Sequence, residues 1–264
     1  MRGFAAYVVV FILSLGGIDV SANPITIIAH RGASYAAPEN TMASFELGWN
    51  WADGIELDIQ RSKDGRAMVI HDADTARVSD KDYSIPSTDS AVLRTVDVGS
   101  HKDKKFAGEK IPFVEEVLAA QPKDRIIFIE IKCGQDVLPV LCDAIKSSGK
   151  QDIVHIIGFD IDVITAFKKI IPTIPVYWLC SKPQYDSAAI IKLVKEHCLD
   201  GVDLGFKAVD KPLVDAIRSA GLKTYVWTVD NPLEMKRMID AGVNGITTNR
   251  PDVANNVLRH YKTQ

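Results

Sequence analysis

The sequence predicts an α/β fold in which eight parallel strands close into a (β/α)8 barrel (a TIM barrel), with a β-hairpin and an insertion after the second strand. Three observations carry that prediction. Short runs rich in Ile and Val recur at residues 25–29, 54–59, 125–131, 153–159, 176–179, 201–204, 224–229 and 245–248. Between them, segments such as 187–198, 212–220 and 232–241 place apolar residues at i, i+3 and i+4, the period of a helix packed on one face. At 264 residues the chain also has the usual size of a one-domain barrel. An open doubly wound sheet is the alternative, but no GxGxxG motif follows the first strand.

The N-terminus stands apart from this pattern. Arg2 supplies a positive start, residues 4–15 are uncharged, and Val20-Ser21-Ala22 offers small residues to a signal peptidase. Cleavage between Ala22 and Asn23 is expected, leaving residues 23–264 as an exported chain, periplasmic or secreted, without a stable membrane anchor. A retained anchor is the alternative, but Asp19 cuts the apolar run short of the ~20 residues a span requires.

After the second strand the alternation breaks. Asp64-Gly65 lies between two apolar runs, which signals a hairpin. Read as a two-residue loop, it pairs Asp58 with His71 and so returns an imidazole to the end of the second strand. Residues 73–112 are then polar with little periodicity. An excursion this long either covers the barrel mouth and shapes a pocket or forms a solvated surface insertion. Beyond it, Pro opens several helices (Pro212, Pro232, Pro251), and Gly221 and Gly242 follow helix ends.

Composition narrows the function. A net charge of −3 and a pI near 6.1 give no bulk attraction for nucleic acid. Four cysteines without a CxxC pair suggest neither a disulfide scaffold nor a zinc knuckle, and their pairing is not legible in one chain.

Barrel active sites sit at the C-terminal strand ends. Those ends here read Ala29-His30-Arg31, Ile55-Glu56-Leu57-Asp58, Ile129-Glu130-Ile131-Lys132 and Trp227-Thr228-Val229-Asp230. Glu56 with Asp58, and Glu130 with Lys132, are two apart and share a face. Their apolar neighbours should face the helices, which sends the charges inward. Three carboxylates there repel one another unless paired or holding a cation, and one Lys cannot neutralise them. All-oxygen ligation suits a hard cation. With His30, His71, Arg31 and Lys132 beside it, the set suits cleavage of a phosphate ester. Cations bind the phosphoryl oxygens, one His takes a proton, and the other gives one. Singly, each residue has a plainer role, as a core histidine, a cap or a salt-bridge partner. Their coincidence carries the reading. For His101, His155, His197 and His260 the plainer role is expected.

The run Ala29-His30-Arg31-Gly32-Ala33, then Ala37-Pro38-Glu39-Asn40-Thr41, resembles the opening of the glycerophosphodiester phosphodiesterases. The likeness continues through Asp53-Gly54-Ile55-Glu56-Leu57-Asp58, Ser62-Lys63-Asp64-Gly65, His71-Asp72, Glu130-Ile131-Lys132, Tyr225-Val226-Trp227-Thr228-Val229 and Gly245-Ile246-Thr247-Thr248. The resemblance implies metal-dependent hydrolysis of glycerophosphodiesters to glycerol 3-phosphate and an alcohol, and the polar rim of residues 73–112 favours small soluble ones. By position it makes Glu56, Asp58 and Glu130 ligands of a divalent cation, Mg²⁺ or Ca²⁺, His30 and His71 the acid/base pair, and Arg31 and Lys132 the phosphate contacts. Trp227 matches a pocket-wall aromatic, though a core Trp is the alternative, while Glu39 and Asn40 are expected to hold their loop in shape. Departures such as Asp230 for a frequent Asn, and His101 for an aromatic, bear on the head group accepted. Rival readings are an enzyme of lipid phosphodiesters, of lysophospholipase D or phospholipase C type, and a binding module that lacks activity.

Overall fold

The computed structural model describes residues 25–181 and 186–261; the expected signal segment lies outside them. Eight strands form the parallel barrel: β1 (Thr26–Ala29), β2 (Gly54–Arg61), β4 (Ile126–Ile131), β5 (Val154–Gly158), β6 (Val176–Cys180), β7 (Gly201–Gly205), β8 (Lys223–Trp227) and β9 (Gly245–Thr248). β1 pairs with both β2 and β9, and this double pairing closes the sheet. The short β3 (Ala67–Val69) runs antiparallel along β2 as the returning arm of the hairpin.

Period-two patterning decides which side chains face which layer. Ile55, Leu57, Ile59, Ile127 and Ile129 point outward and are fully buried against the helices. Each such side chain contributes about 1.5–3 kcal/mol of burial. The helices that cover them are α1 (Met42–Trp51), α3 (Val114–Ala120), α4 (Leu138–Ser148), α5 (Ile161–Ile170), α6 (Ser187–Glu196), α7 (Lys211–Ser219), α8 (Pro232–Ala241) and α9 (Pro251–Tyr261); the short α2 (Ser90–Leu93) belongs to the insertion. Asp160, Asp186, Asp210 and Asn231 each accept a backbone N–H at a helix start, worth ~1 kcal/mol apiece. The alternate residues point inward. Phe128, His155, Tyr177 and Tyr225 stack inside the barrel, with Phe128 4.7 Å from the His155 ring and 5.0 Å from Tyr225. This aromatic plug fills the barrel beneath the strand ends, so His155 is a packing residue, as expected.

The hairpin is present, but its register differs from the expectation by one residue. Arg61 pairs with Ala67 and Ile59 with Val69, so the backbone carbonyl of Asp58 meets the N–H of Ile70 rather than that of His71. The loop has three residues, 63–65, closed by a bond from Ser62 N to Arg66 O. Gly65 takes the left-handed conformation (φ +86°) that such a loop demands at its end. Asp64 is held by bonds from Ser62 Oγ, Ser90 N and Ser90 Oγ, which tie the loop to the start of α2. His71 follows β3 and is therefore free of strand parity.

The insertion carries a second small core that its polarity conceals: Val78, Ile85, Leu93, Val96, Val98 and Ile111 pack on Met68 and Ile70. It leans on the loop after β1, where Lys102 Nζ donates to Ser34 O at 2.9 Å. Cys133, Cys142 and Cys198 carry free thiols.

Candidate active site

A cavity of about 200 Å³ opens at the C-terminal strand ends. His30, Arg31, Glu56, His71, Glu130, Lys132 and Trp227 line it, and Asp58 stands just behind the wall, fully buried. The predicted residues thus gather in one place from β1, β2, β3, β4 and β8.

Glu56, Asp58 and Glu130 each offer an oxygen within 4.8 Å of the others. Two cations lean on them. Arg31 Nε lies 3.2 Å from Asp58 Oδ2, and Lys132 Nζ lies 3.0 Å from Glu130 Oε1 and 3.8 Å from Asp58 Oδ1. Even so, Glu56 Oε1 and Asp58 Oδ1 are buried with no hydrogen-bond partner among the described residues. Burial, with Asp58 and Glu130 adding repulsion, pushes the Glu56 carboxyl well above the usual range. Burial and Asp58 push Glu130 up to about 7. A nest of acids with orphaned oxygens is what a hard divalent ion relieves, so these residues fit such an ion.

The loop after β1 bends sharply to serve this nest. Arg31 (φ +54°) and Asn40 (φ +56°) both hold left-handed backbone, a strain that persists where surrounding contacts fix it. Arg31 N thereby donates to Glu56 Oε2 at 2.8 Å, and Asn40 Nδ2 to Asp58 Oδ2 at 2.8 Å. Gly32 (φ +76°) has no room for a side chain, since a Cβ would fall 2.4 Å from Ser44 Oγ. Glu39 and Asn40 hold their loop through Arg31, Arg77 and Asp58. Although burial opposes it, the hydrogen bond from Arg77 and the charge of Arg31 keep the Glu39 carboxyl down at about 2.

The two imidazoles are supported differently. His30 Nδ1 lies 2.7 Å from Asn249 Oδ1, whereas His71 Nδ1 lies 2.7 Å from the Asp72 carboxylate. Arg77, from the insertion, grips Asp72 at 2.6 Å and Glu39 at 2.7 and 2.8 Å, and so braces both His71 and Arg31. Burial and the neighbouring Arg31 lower His30 to about 4, leaving its ring neutral. Lys132 Nζ lies 2.9 Å from His71 Nε2, linking that ring to the acidic nest. Trp227 is anchored by a bond from Nε1 to Asp203 O and meets Phe159 edge-to-face at 5.6 Å.

Four site-supporting residues have no role in the sequence reading: Asp72, Arg77, Asp203 and Asn249. Asp72, beside His71, and Asn249, just past β9, carried the same polar strand-end signal as the predicted residues. Asp230 stands in one of the strand-end runs, tied to the head group as a departure from the family pattern; in the structure it accepts from Asn249 Nδ2 at 2.7 Å and Asn249 N at 2.9 Å. His101 is exposed in the insertion, and His197 meets Thr165 Oγ1 at 2.9 Å, away from the cavity.

Two imidazoles, two cations and an acidic nest at the mouth of a (β/α)8 barrel define a hydrolase of phosphate diesters. The profile of the glycerophosphoryl diester phosphodiesterase family matches residues 30–253. The chain belongs to that family. It is 35% identical over 242 residues to a glycerophosphodiester phosphodiesterase of Caldanaerobacter subterraneus subsp. tengcongensis, covering 88% of this chain and 97% of that one. A glycerophosphodiester phosphodiesterase of Bacillus subtilis is 30% identical, with 95% of this chain and 97% of the other covered. Among solved structures, an Oleispira antarctica phosphodiesterase in complex with the product sn-glycerol-3-phosphate superposes with a TM-score of 0.84 at 24% identity, over 89% of this chain and 96% of the other. That likeness is one of fold.

Proposed function

We propose that the protein hydrolyses glycerophosphodiesters to sn-glycerol 3-phosphate and an alcohol, with Glu56, Asp58 and Glu130 holding Mg²⁺ or Ca²⁺. The observation that carries this reading is the convergence of two differently supported imidazoles on one acidic nest. The bound ion supplies a charge that polarises the phosphoryl group. Arg31 and Lys132 bind the phosphoryl oxygens from either side, and Lys132 exchanges its contact with His71 for the phosphate. His30 takes a proton at Nε2 from the glycerol hydroxyl next to the ester as that oxygen attacks phosphorus. His71 gives a proton to the departing alcohol, its charge steadied by Asp72. The cyclic glycerol phosphate is then opened by water as the two rings exchange roles, which restores both.

The test is release of glycerol 3-phosphate from a panel of glycerophosphodiesters, with and without chelator. Turnover of small diesters that chelation abolishes is the expected result. Turnover confined to lysophospholipids would move the reading to lipid substrates, and none on any diester would defeat it. Residues 1–22 support export, so the mature N-terminus in the native host should be Asn23 by mass spectrometry. Met1 intact in a membrane fraction would overturn this.

A further inference from the structure

One carboxyl in the cavity wall has no part in the chemistry above. Asp203 lies in β7, where Val202 and Leu204 face the helices and Asp203 faces the barrel interior. It lines the cavity on β7, across the closed sheet from β2 though still within reach of the Glu130 charge, and is only 1% exposed. Its Oδ1 is buried and has no hydrogen-bond partner among the described residues. It stands outside the group of acids that can share an ion. An unpartnered buried polar group destabilises the fold that holds it, unless a ligand completes it.

We propose that Asp203 recognises a hydroxyl of the glycerol moiety. The inference rests on the function proposed above and deepens it. Several features of the wall favour a polyol. The cations that bind phosphate, Arg31 and Lys132, belong to the β1 and β4 side of the cavity, so a phosphate seated there leaves its organic group toward β7 and β8. From β5 round to β9 the wall is mostly apolar, made by Ile157, Phe159, Leu179 and Trp227, with Asp203 and the threonines Thr228 and Thr247 as its polar members. Trp227 cannot serve as the partner, because its indole N–H is spent on the backbone oxygen of Asp203 at 3.2 Å. A hydroxyl satisfies the carboxyl in either protonation state, donating to the carboxylate or accepting from the acid. An apolar tail cannot.

Equilibrium binding of sn-glycerol 3-phosphate and of propyl phosphate, which has the same carbon chain but no hydroxyl, tests this in the Mg²⁺-loaded protein. The wild type should prefer sn-glycerol 3-phosphate by about tenfold or more. Asp203→Leu should cut that preference severalfold without weakening propyl phosphate, leaving only the share of the hydroxyl that meets His30, and Asp203→Asn, which still donates and accepts, should keep most of it. Asp203→Ala, which adds no bulk, reports the same quantity should the leucine variant not fold. A preference that persists undiminished in both apolar variants, or its absence from the wild type, would overturn the assignment. The two readings fail separately. A wild type that shows the preference yet cleaves no glycerophosphodiester defeats the hydrolase reading alone, and one that cleaves without the preference defeats this one alone.

Discussion

His30 Nδ1 and Asn249 Oδ1 lie 2.7 Å apart, and the amide that joins them can be oriented in only one way. Asn249 Nδ2 faces the Asp230 carboxylate at 2.7 Å, and a carboxylate accepts, so the amide nitrogen must point to Asp230 and the amide oxygen to His30. Ser34 Oγ, which donates to the same oxygen at 2.8 Å, agrees. His30 therefore carries its proton on Nδ1 and presents a bare Nε2 to the cavity, as the proposed role of base requires.

Asn249→Ala should release this ring and lower kcat by about 10–100-fold with little change in KM, the usual cost of losing a partner that orients an imidazole. Asp230→Asn should cost part of that, because the new amide can turn either way. Steady-state kinetics of both variants check this, and unchanged kcat in Asn249→Ala would remove the orienting role.

His30→Ala and His71→Ala should each reduce kcat by ~10²–10⁴-fold, and the double variant should lose little more, since both act in one step. A 4-nitrophenyl ester, whose leaving group needs no proton, should rescue His71→Ala and not His30→Ala. Rescue in the opposite order would exchange the roles.

Glu130, pushed up to about 7, must shed its proton to hold a cation. Mg²⁺ affinity should therefore fall as pH drops below 7, and binding there should release protons, both readable by calorimetry in two buffers. Glu130→Gln should weaken binding, and chelation should lower the melting temperature of the wild type. Binding indifferent to pH between 6 and 8 would contradict the assignment of Glu130.

Inside the barrel, burial and then Lys223 hold His155 at about 4, against an ordinary value of 6.5. Between those values the unfolded chain takes up a proton that the folded chain refuses. Its contribution is complete above pH 6.5 and declines as pH falls toward 4, by about 1–3 kcal/mol once solvent screening is allowed for. His155→Phe should lose less melting temperature than the wild type between pH 7.5 and 5; an equal loss would refute this.

What the sequence determined by itself is local. Alternation along 54–59 and 125–131 was enough to send Glu56, Asp58 and Glu130 inward and their Ile and Leu neighbours outward, because side-chain direction in a strand follows from period two alone. The position of His30, Arg31 and Lys132 at strand ends followed in the same way. Only the tertiary structure decided the rest. The hairpin register turned on whether Asp64-Gly65 closed two residues or three, a choice settled by the αL conformation of Gly65 and by Ser90 reaching in from the insertion. The small core of the insertion came from scattered apolar residues with no period to betray them. His30 met Asn249 across 219 residues because closure of the barrel sets β9 beside β1, and Asp203 came to face the same cavity through that closure. Strand direction is written in neighbouring residues, whereas contacts between the first strand and the last exist only once every strand between them has taken its place.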